Sequence, residues 1–203
     1  MATKKEPRRK LAIVIGIGKY DHFEELQKPE NDANDMSSAL EKSENMVLFY
    51  FAGHGIQWED QNYLIPKDTP TLNGADLNKN AINAQDILNT LSDHKSYVTI
   101  FLLDSCRKYH LHNPEIDARK SNESGAKSVG LKAMHKAGSL SACACEPGTI
   151  AIEEKGQRNG LFTKHLLKHI TIVNEDIQLI LRDVTKGVID ESKSKQIPYV
   201  SAS

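Results

Sequence analysis

The sequence has few cysteines, few aromatic residues and no long apolar run. Its 203 residues include three cysteines, one tryptophan and 6% aromatic residues. Such a small, odd number of cysteines argues against a disulfide framework and indicates a reducing compartment, so we expect a cytoplasmic protein. No apolar run approaches the roughly 18 residues of a membrane span, so we expect no membrane partner. Neither zinc-site spacing nor a calcium-loop pattern is present, so we expect no metal and no cofactor.

The sequence also lacks an excess of charge of either sign. Its 26 Lys and Arg against 27 Asp and Glu give a net charge of −1. Without a basic excess, we expect no nucleic-acid partner. The basic residues 1–10, MATKKEPRRK, lack the cleavage site of a signal peptide and are predicted to form a disordered tail. A weak nuclear or anionic-surface address is the alternative. The remaining length suits one domain over residues 11–203.

Apolar strand patterns alternate with amphipathic helix patterns, which predicts an α/β domain with a mostly parallel central sheet flanked by helices. Three runs, residues 11–17, 46–51 and 97–103, have the composition of strands buried on both faces. We expect Gly53 and Gly55 to end the second strand. Further strands are predicted at 62–66, on an edge, and at 138–145 and 196–202, and helices at 31–42, 81–92, 159–170 and 174–191. Ile82 is expected to face inward from the helix at 81–92, and residues 18–30 and 67–80 are expected to form polar loops.

A long polar stretch divides this domain. Residues 108–136 are rich in Ser, Asn, Lys, Gly and His and show little periodicity, which indicates a mobile linker. It separates a larger part, residues 11–107, from a smaller part, residues 137–203.

Two polar clusters follow the second and third apolar runs. AGHG at 52–55 contributes His54, and DSCR at 104–107 contributes Cys106. Because active sites of open α/β sheets lie beyond the carboxyl ends of the strands, we expect both side chains in one crevice. A thiol attacks as the thiolate, and a nearby His can take its proton and later pass it to the leaving amine. The main-chain N–H groups of Gly55 and Cys106 are the predicted oxyanion donors.

These clusters resemble a known family. The runs VLFYFAGHG and IFLLDSCR, with GSLSACACEPGTIA at 138–151 and NGLFTKHLL at 159–167, resemble the caspase-like cysteine peptidases, and more the paracaspases and metacaspases than true caspases. The His precedes the Cys by 52 residues (106 − 54), close to the roughly 50 of caspases. The resemblance covers nearly all of the chain after residue 10. It implies a three-layer sandwich and a cysteine endopeptidase with His54 as base and Cys106 as nucleophile.

The resemblance also implies a substrate preference. Asp104 stands where caspases have a Gln and where paracaspases and metacaspases have an acid that lines a pocket for a P1 Arg or Lys. Asp32 aligns best with a second pocket acid, and paired carboxylates favour a guanidinium. Alternatively, Asp32 caps a helix and Asp104 caps the turn after its strand. Some paracaspases have a further acid, but neither Glu146 nor Glu153 falls cleanly in register.

The chain departs from the family in one place. Leu40 is followed by EKSEN and then directly by MVLFYF, where the family has another strand and helix. About one strand–helix unit is therefore missing. This favours one rival hypothesis, a catalytically impaired interaction or regulatory module such as a shortened isoform. A second rival is a small α/β binding domain whose His and Cys occur by chance.

Protein or peptide substrates are the partners that the resemblance implies. Its members range from monomers to dimers that pair through the last strand. We therefore expect that a homodimer would form through residues 196–203, QIPYVSAS, with Pro198 disfavouring central pairing at its own position.

Overall fold

The fold alternates strands and helices along the chain. The structure is a computed structural model that describes residues 11–41, 47–58, 61–70, 76–93, 98–110, 134, 136–146, 151–172 and 175–202, with only the main chain for 106–110. Within these residues the strands are β1 Leu11–Gly16, β2 Val47–Trp58, β3 Gln61–Leu64, β4 Ile82–Asn83, β5 Thr99–His110, β6 Ser139–Cys143 and β7 Tyr199–Ala202. The helices are α1 Pro29–Leu40, α2 Leu77–Asn80, α3 Ala84–Ser92, α4 Leu161–His169 and α5 Ile177–Ser192.

All seven strands join one mixed sheet. Its order is β4-β3-β2-β5-β6-β7, with β1 beside the first half of β2. The pairs β1–β2, β2–β5 and β5–β6 are parallel. The marginal pairs β2–β3, β3–β4 and β6–β7 are antiparallel. The expected α/β class is confirmed, with the parallel pairs β2–β5 and β5–β6 at the centre of the sheet.

The core lies on both faces of this sheet. Successive side chains of a strand point to opposite faces, and β2 is buried on both. Leu48 and Tyr50 pack in a cluster with residues of α1, α4 and α5. Phe49 and Phe51 pack in a second cluster with residues of α3. Helices therefore cover the sheet from both sides, which is the three-layer sandwich that the resemblance implied.

Strands β2 and β5 are longer than the sequence predicted. The prediction that Gly53 and Gly55 end β2 is wrong, because the ladder with β5 continues past them and Gly55 also pairs with Leu64 of β3. Gly53 pairs with Ser105 of β5 and Gly55 with Leu64 of β3, and this pairing keeps both residues in the strand despite their weak strand propensity. Likewise, β5 runs beyond residue 103 to His110, into the stretch predicted as linker. The two polar clusters thus lie within strands rather than in loops.

Strand β1 lies on an edge, so the prediction that it is buried on both faces is wrong. Among the described strands it pairs only with β2, and Leu11 is 43% exposed. Ile13 and Ile15 are only partly buried. The reason is the short connection from α1 to β2, residues 41–46, which leaves no described strand on the outer side of β1. This exposure agrees with the missing strand–helix unit.

Two helices begin at different residues from those predicted. Helix α1 begins at Pro29, because proline is well suited to the first helical position. Helix α3 begins at Ala84, with the Asn83 side chain accepting the N–H of Gln85. Ile82 was predicted to face inward from this helix, but it belongs to β4 and is 49% exposed.

Other differences are local. Strand β3 is not at an edge, because β4 pairs with its outer side. Helix α2 forms inside the predicted polar loop 67–80, where Leu77 is fully buried. Strand β7 begins only after Pro198 and is the last strand of the sheet. Predictions for the tail 1–10 and for most of the linker lie outside the described residues.

In the described part of the chain, none of the helices combines the length and apolar character that crossing a bilayer requires.

Candidate active site

The imidazole of His54 is buried and held in one tautomer. Its side chain lies in the middle of β2, and the residue is 2% exposed. The ring Nε2 lies 2.7 Å from the main-chain oxygen of Glu24. A carbonyl oxygen can only accept, so Nε2 donates and carries the proton of the neutral ring. Nδ1 is then the ring nitrogen that can take up a proton.

Two aromatic rings fix the position of this imidazole. The His54 N–H donates to the Tyr20 hydroxyl over 2.8 Å. The ring centroids of Tyr20 and Phe23 lie 4.6 and 5.8 Å from that of His54. Burial raises the pKa of Tyr20 well above its usual value, so the phenol stays protonated. These residues belong to the segment after β1, which the sequence indicated only as a polar loop.

Cys106 and Gly55 lie beside His54 in the sheet. His54 and Cys106 are register partners in the parallel β2–β5 ladder, where strands run roughly 4.8 Å apart. The Cys106 side chain is outside the described part of the structure. Gly55 follows at an irregularity of that ladder. A Cβ on Gly55 would lie 2.9 Å from the Ser105 Oγ, so a side chain at this position would force Ser105 to shift.

Asp32 and Asp104 converge on one point beside Gly160. Asp32 lies in the first turn of α1 and is 2% exposed, and Asp104 is half-buried in β5. A Cβ on Gly160 would lie 3.2 Å from Asp32 Oδ2 and 3.3 Å from Asp104 Oδ2. The structure thus brings together the two acids that the sequence singled out.

The capping alternatives for both acids are wrong. The N-cap of α1 is Lys28, and Asp32 lies inside the helix, where its Oδ1 accepts the Gly160 N–H over 3.0 Å. Asp104 is followed by further strand, not by a turn, and its Oδ2 accepts the Thr163 hydroxyl over 2.6 Å. Each carboxylate therefore bonds to the segment around the start of α4.

Burial makes both acids reluctant to ionise. Burial, followed by repulsion from Asp104, raises the pKa of Asp32 to about 7, although hydrogen bonds from Asn159 and Gly160 act in the opposite direction. Burial also raises the pKa of Asp104 to about 6, against the lowering effect of the Thr163 hydrogen bonds. Two carboxylates that share a buried site disfavour joint ionisation unless a cation joins them. The pair is therefore suited to a positively charged ligand.

A chain of hydroxyl groups supports Asp104. Because the Thr163 hydroxyl gives its proton to Asp104, the Tyr50 hydroxyl must donate to Thr163 Oγ1, 2.6 Å away. Both hydroxyl residues are fully buried. Thr163 lies in the segment NGLFTKHLL, whose likeness to the family was apparent, although its role was not.

A third acid lines the same small pocket. Glu153 is exposed at its rim, and its charge raises the pKa of both Asp32 and Asp104. The walls are Leu26, Pro29, Gly53, Ala151, Ile152 and Gly160. Glu146 is not among the lining residues, and its N–H bonds to the Ile197 oxygen instead. Of the two acids that were out of register, Glu153 is the one at the pocket.

An ion pair attaches the loop before α4 to α1. The Arg158 Nε and Nη2 donate to the two Asp35 oxygens over 2.7 and 2.8 Å. Asn159 Nδ2 donates to Asp35 Oδ2 over 3.0 Å. Both contacts lower the pKa of Asp35, chiefly through the Arg158 hydrogen bond. This attachment holds Gly160 in place against Asp32.

Comparison with known proteins agrees with this geometry. The caspase domain family matches residues 40–203, and the chain belongs to that family of cysteine peptidases. The crystal structure of caspase-1 from Spodoptera frugiperda superimposes with a TM-score of 0.65 and 14% identity, over 100% of this chain and 92% of that one. It shows a shared fold.

Two curated relatives cover nearly the whole chain. The human mucosa-associated lymphoid tissue lymphoma translocation protein 1 is 23% identical and its Mus musculus homolog 27%, each over 96% of this chain. The chain spans about a quarter of their length, 26% and 25%. Both alignments extend over 227 positions, at least 24 more than the chain has residues (227 − 203). The relatives therefore contain positions with no counterpart here, in agreement with a missing unit.

Proposed function

We propose that this protein is a cysteine endopeptidase that uses a Cys106–His54 dyad and cuts after Arg or Lys. Family membership supports the peptidase class. The register partnership of His54 with Cys106 supports the dyad. The observation that carries the substrate preference is the convergence of two carboxylates, the buried Asp32 and the half-buried Asp104, beside Gly160.

The proposed reaction begins with a proton transfer. His54 Nδ1 takes the thiol proton, and the Cys106 sulfur attacks the carbonyl carbon of the scissile bond. The N–H groups of Gly55 and Cys106 stabilise the oxyanion. The C–N bond then breaks, and the imidazolium gives its proton to the amine. Water, deprotonated by His54, hydrolyses the thioester and frees the thiol. The Glu24 carbonyl supports each step because it orients the ring and stabilises its protonated form.

Charge favours a basic P1 residue. Without a cation between them, the two acids repel each other and tend to retain a proton, as their raised pKa values indicate. A guanidinium or ammonium group between them offsets that repulsion through charge-assisted hydrogen bonds. A P1 Asp would add a further negative charge next to Asp32, Asp104 and Glu153, so we expect the enzyme to reject it.

The test is a set of fluorogenic peptides ending in Arg, Lys or Asp, incubated with the protein and with Cys106→Ala. We expect cleavage after Arg and Lys, none after Asp, and none by the variant. Cleavage after Asp would keep the peptidase and refute the acidic pocket. Cleavage that persists in Cys106→Ala would refute Cys106 as nucleophile.

A second candidate function is a catalytically impaired interaction module in a reducing compartment such as the cytoplasm. The observation that favours it is the exposed edge of β1, left by the missing unit. A protein that is folded by circular dichroism but cleaves none of the peptides would support this candidate against the peptidase.

The proposed partners are protein substrates and a second copy of the chain. Strand β7 ends the sheet, and its Val200 is 38% exposed, which suits pairing between two copies. Sedimentation of Val200→Lys beside the unmodified protein tests this pairing, since a dimer through β7 would dissociate in the variant.

A further inference from the structure

We propose that Gly160 is a specificity-determining residue, because its missing side chain leaves the space in which a P1 cation lies between Asp32 and Asp104. The inference rests on the proposed function and adds a residue to it. Gly160 supplies no charge and no side-chain atom. Its contribution is the absence of a Cβ, which would otherwise occupy the space between the two carboxylates.

The backbone does not require glycine at this position. Gly160 has φ −61° and ψ 154°, an extended conformation that any residue adopts. Gly156 in the same loop has φ +81°, where a side chain is strained. The reason for glycine at position 160 is therefore space and not conformation.

A methyl group would occupy the place of the cation. Built on Gly160, a Cβ lies 3.2 Å from Asp32 Oδ2 and 3.3 Å from Asp104 Oδ2, tight contacts for an apolar carbon against a charged oxygen. Charge-assisted N–H···O bonds need a donor about 2.7–2.9 Å from each oxygen. An apolar carbon there blocks both approaches and removes water from both carboxylates.

Hydrogen bonds oppose a movement of the carboxylates away from such a group. Asp32 is held by the Gly160 N–H itself, at 3.0 Å, and Asp104 by the Thr163 hydroxyl, at 2.6 Å. The loop that carries Gly160 is attached to α1 through Arg158 and Asp35. Since the substitution keeps the N–H, Gly160→Ala retains these contacts and adds only the methyl group.

The test compares Gly160→Ala with the unmodified protein in two assays. The first assay measures the binding of benzamidine, a rigid guanidinium-like cation, by calorimetry. The second is kcat/KM for matched peptides with P1 Arg and P1 Ala. We expect the substitution to weaken benzamidine binding and the Arg/Ala preference at least tenfold each. Gly156→Asn is the control, because a Cβ there meets nothing within 4 Å and Asn tolerates positive φ.

A measurement on the unmodified protein avoids dependence on the variant's folding. We expect the amide resonance of Gly160 to shift on titration with benzamidine, with the same saturation as the calorimetric binding, while that of Gly156 stays in place. Unchanged binding and preference in a folded Gly160→Ala, or no shift at Gly160, would overturn the inference.

If the proposed function is wrong, the outcome differs from the one expected if only the role of Gly160 is wrong. A protein that binds benzamidine at Gly160 but cleaves no peptide has the cation pocket without peptidase activity. A protein that cleaves but does not bind benzamidine at Gly160 retains the peptidase and refutes the role of Gly160.

Discussion

At the scale of single residues, the Thr163 hydroxyl holds the Asp104 carboxylate in its orientation. It donates to Oδ2 and accepts from Tyr50, so its own hydrogen-bonding capacity is used within the core. A buried hydroxyl thus orients a carboxylate without contacting the ligand, which makes Thr163 a positioning residue.

Replacement of Thr163 by Val tests this role with little change of shape. The Asp104 carboxylate and the Tyr50 hydroxyl both lose their partner, and an unsatisfied buried polar group costs about 1–3 kcal/mol. The lost hydrogen bond normally lowers the pKa of Asp104, so we expect that pKa to rise. KM for Arg peptides should increase at pH 7 and partly recover at higher pH.

The matched control is Tyr50→Phe. It removes one hydroxyl but leaves the Thr163–Asp104 hydrogen bond, so a similar loss of stability should come without the pH-dependent KM. Urea denaturation and kinetics at several pH values measure both. Equal pH profiles for the two variants would contradict the positioning role.

What the sequence predicted at this scale depended on chemistry carried by side chains. Asp32 and Asp104 have charged groups in recognisable surroundings, and the structure brings them together. Glu24 contributes only a main-chain oxygen, which every residue has, so no sequence signal marks it. Gly160 matters because it has no side chain, and the importance of that feature is apparent only once the positions of the neighbouring carboxylates are known.

At the scale of elements, burial distinguishes strands that look alike in sequence. The runs that form β1 and β2 are both apolar, yet Leu48 in β2 is fully buried and Leu11 in β1 is 43% exposed. Composition predicted both as strands correctly. It could not predict that β1 lies on an edge, because that depends on which segment pairs with its outer side.

This difference predicts unequal effects of truncation. Leu48→Ala should cost about 2–5 kcal/mol of unfolding free energy, since it leaves a cavity in the core. Leu11→Ala should cost less than about 1 kcal/mol, because much of that side chain already contacts water. Urea denaturation of both variants gives the comparison. A Leu11 variant as damaging as the Leu48 variant would mean that another segment covers β1 in solution.

Strand ends were the least predictable feature at this scale. Gly53 and Gly55 have low strand propensity, so sequence patterns end β2 before them. The strand continues because β3, which follows it directly, and β5, from a distant part of the chain, provide backbone partners. Such long-range pairing is absent from any local pattern.

At the scale of the whole molecule, the acid pair links folding to pH. The pKa of Asp32 is raised from 3.8 to about 7 in the folded protein, so the folded state holds a proton that the unfolded chain has released. The stability that the protonated Asp32 contributes is fully present below about pH 4 and is lost as pH rises through 7. Ionisation of the acid pair therefore destabilises the fold near neutral pH, and a cation bound between the acids should remove that cost.

Comparison with Asp32→Asn isolates this effect. Asn has nearly the same shape, its oxygen can still accept the Gly160 N–H, and it does not titrate. Groups with lowered pKa values, such as Asp35, act in the opposite direction in both proteins and cancel. We expect the stability of the variant relative to the unmodified protein to increase from pH 5 to pH 8 by on the order of 2–4 kcal/mol. Saturating benzamidine should reduce the difference in stability between the two proteins at pH 8, because the cation stabilises the ionised pair only when both acids are present. A pH-independent difference between the two proteins would show that Asp32 ionises in the fold as readily as in the unfolded chain.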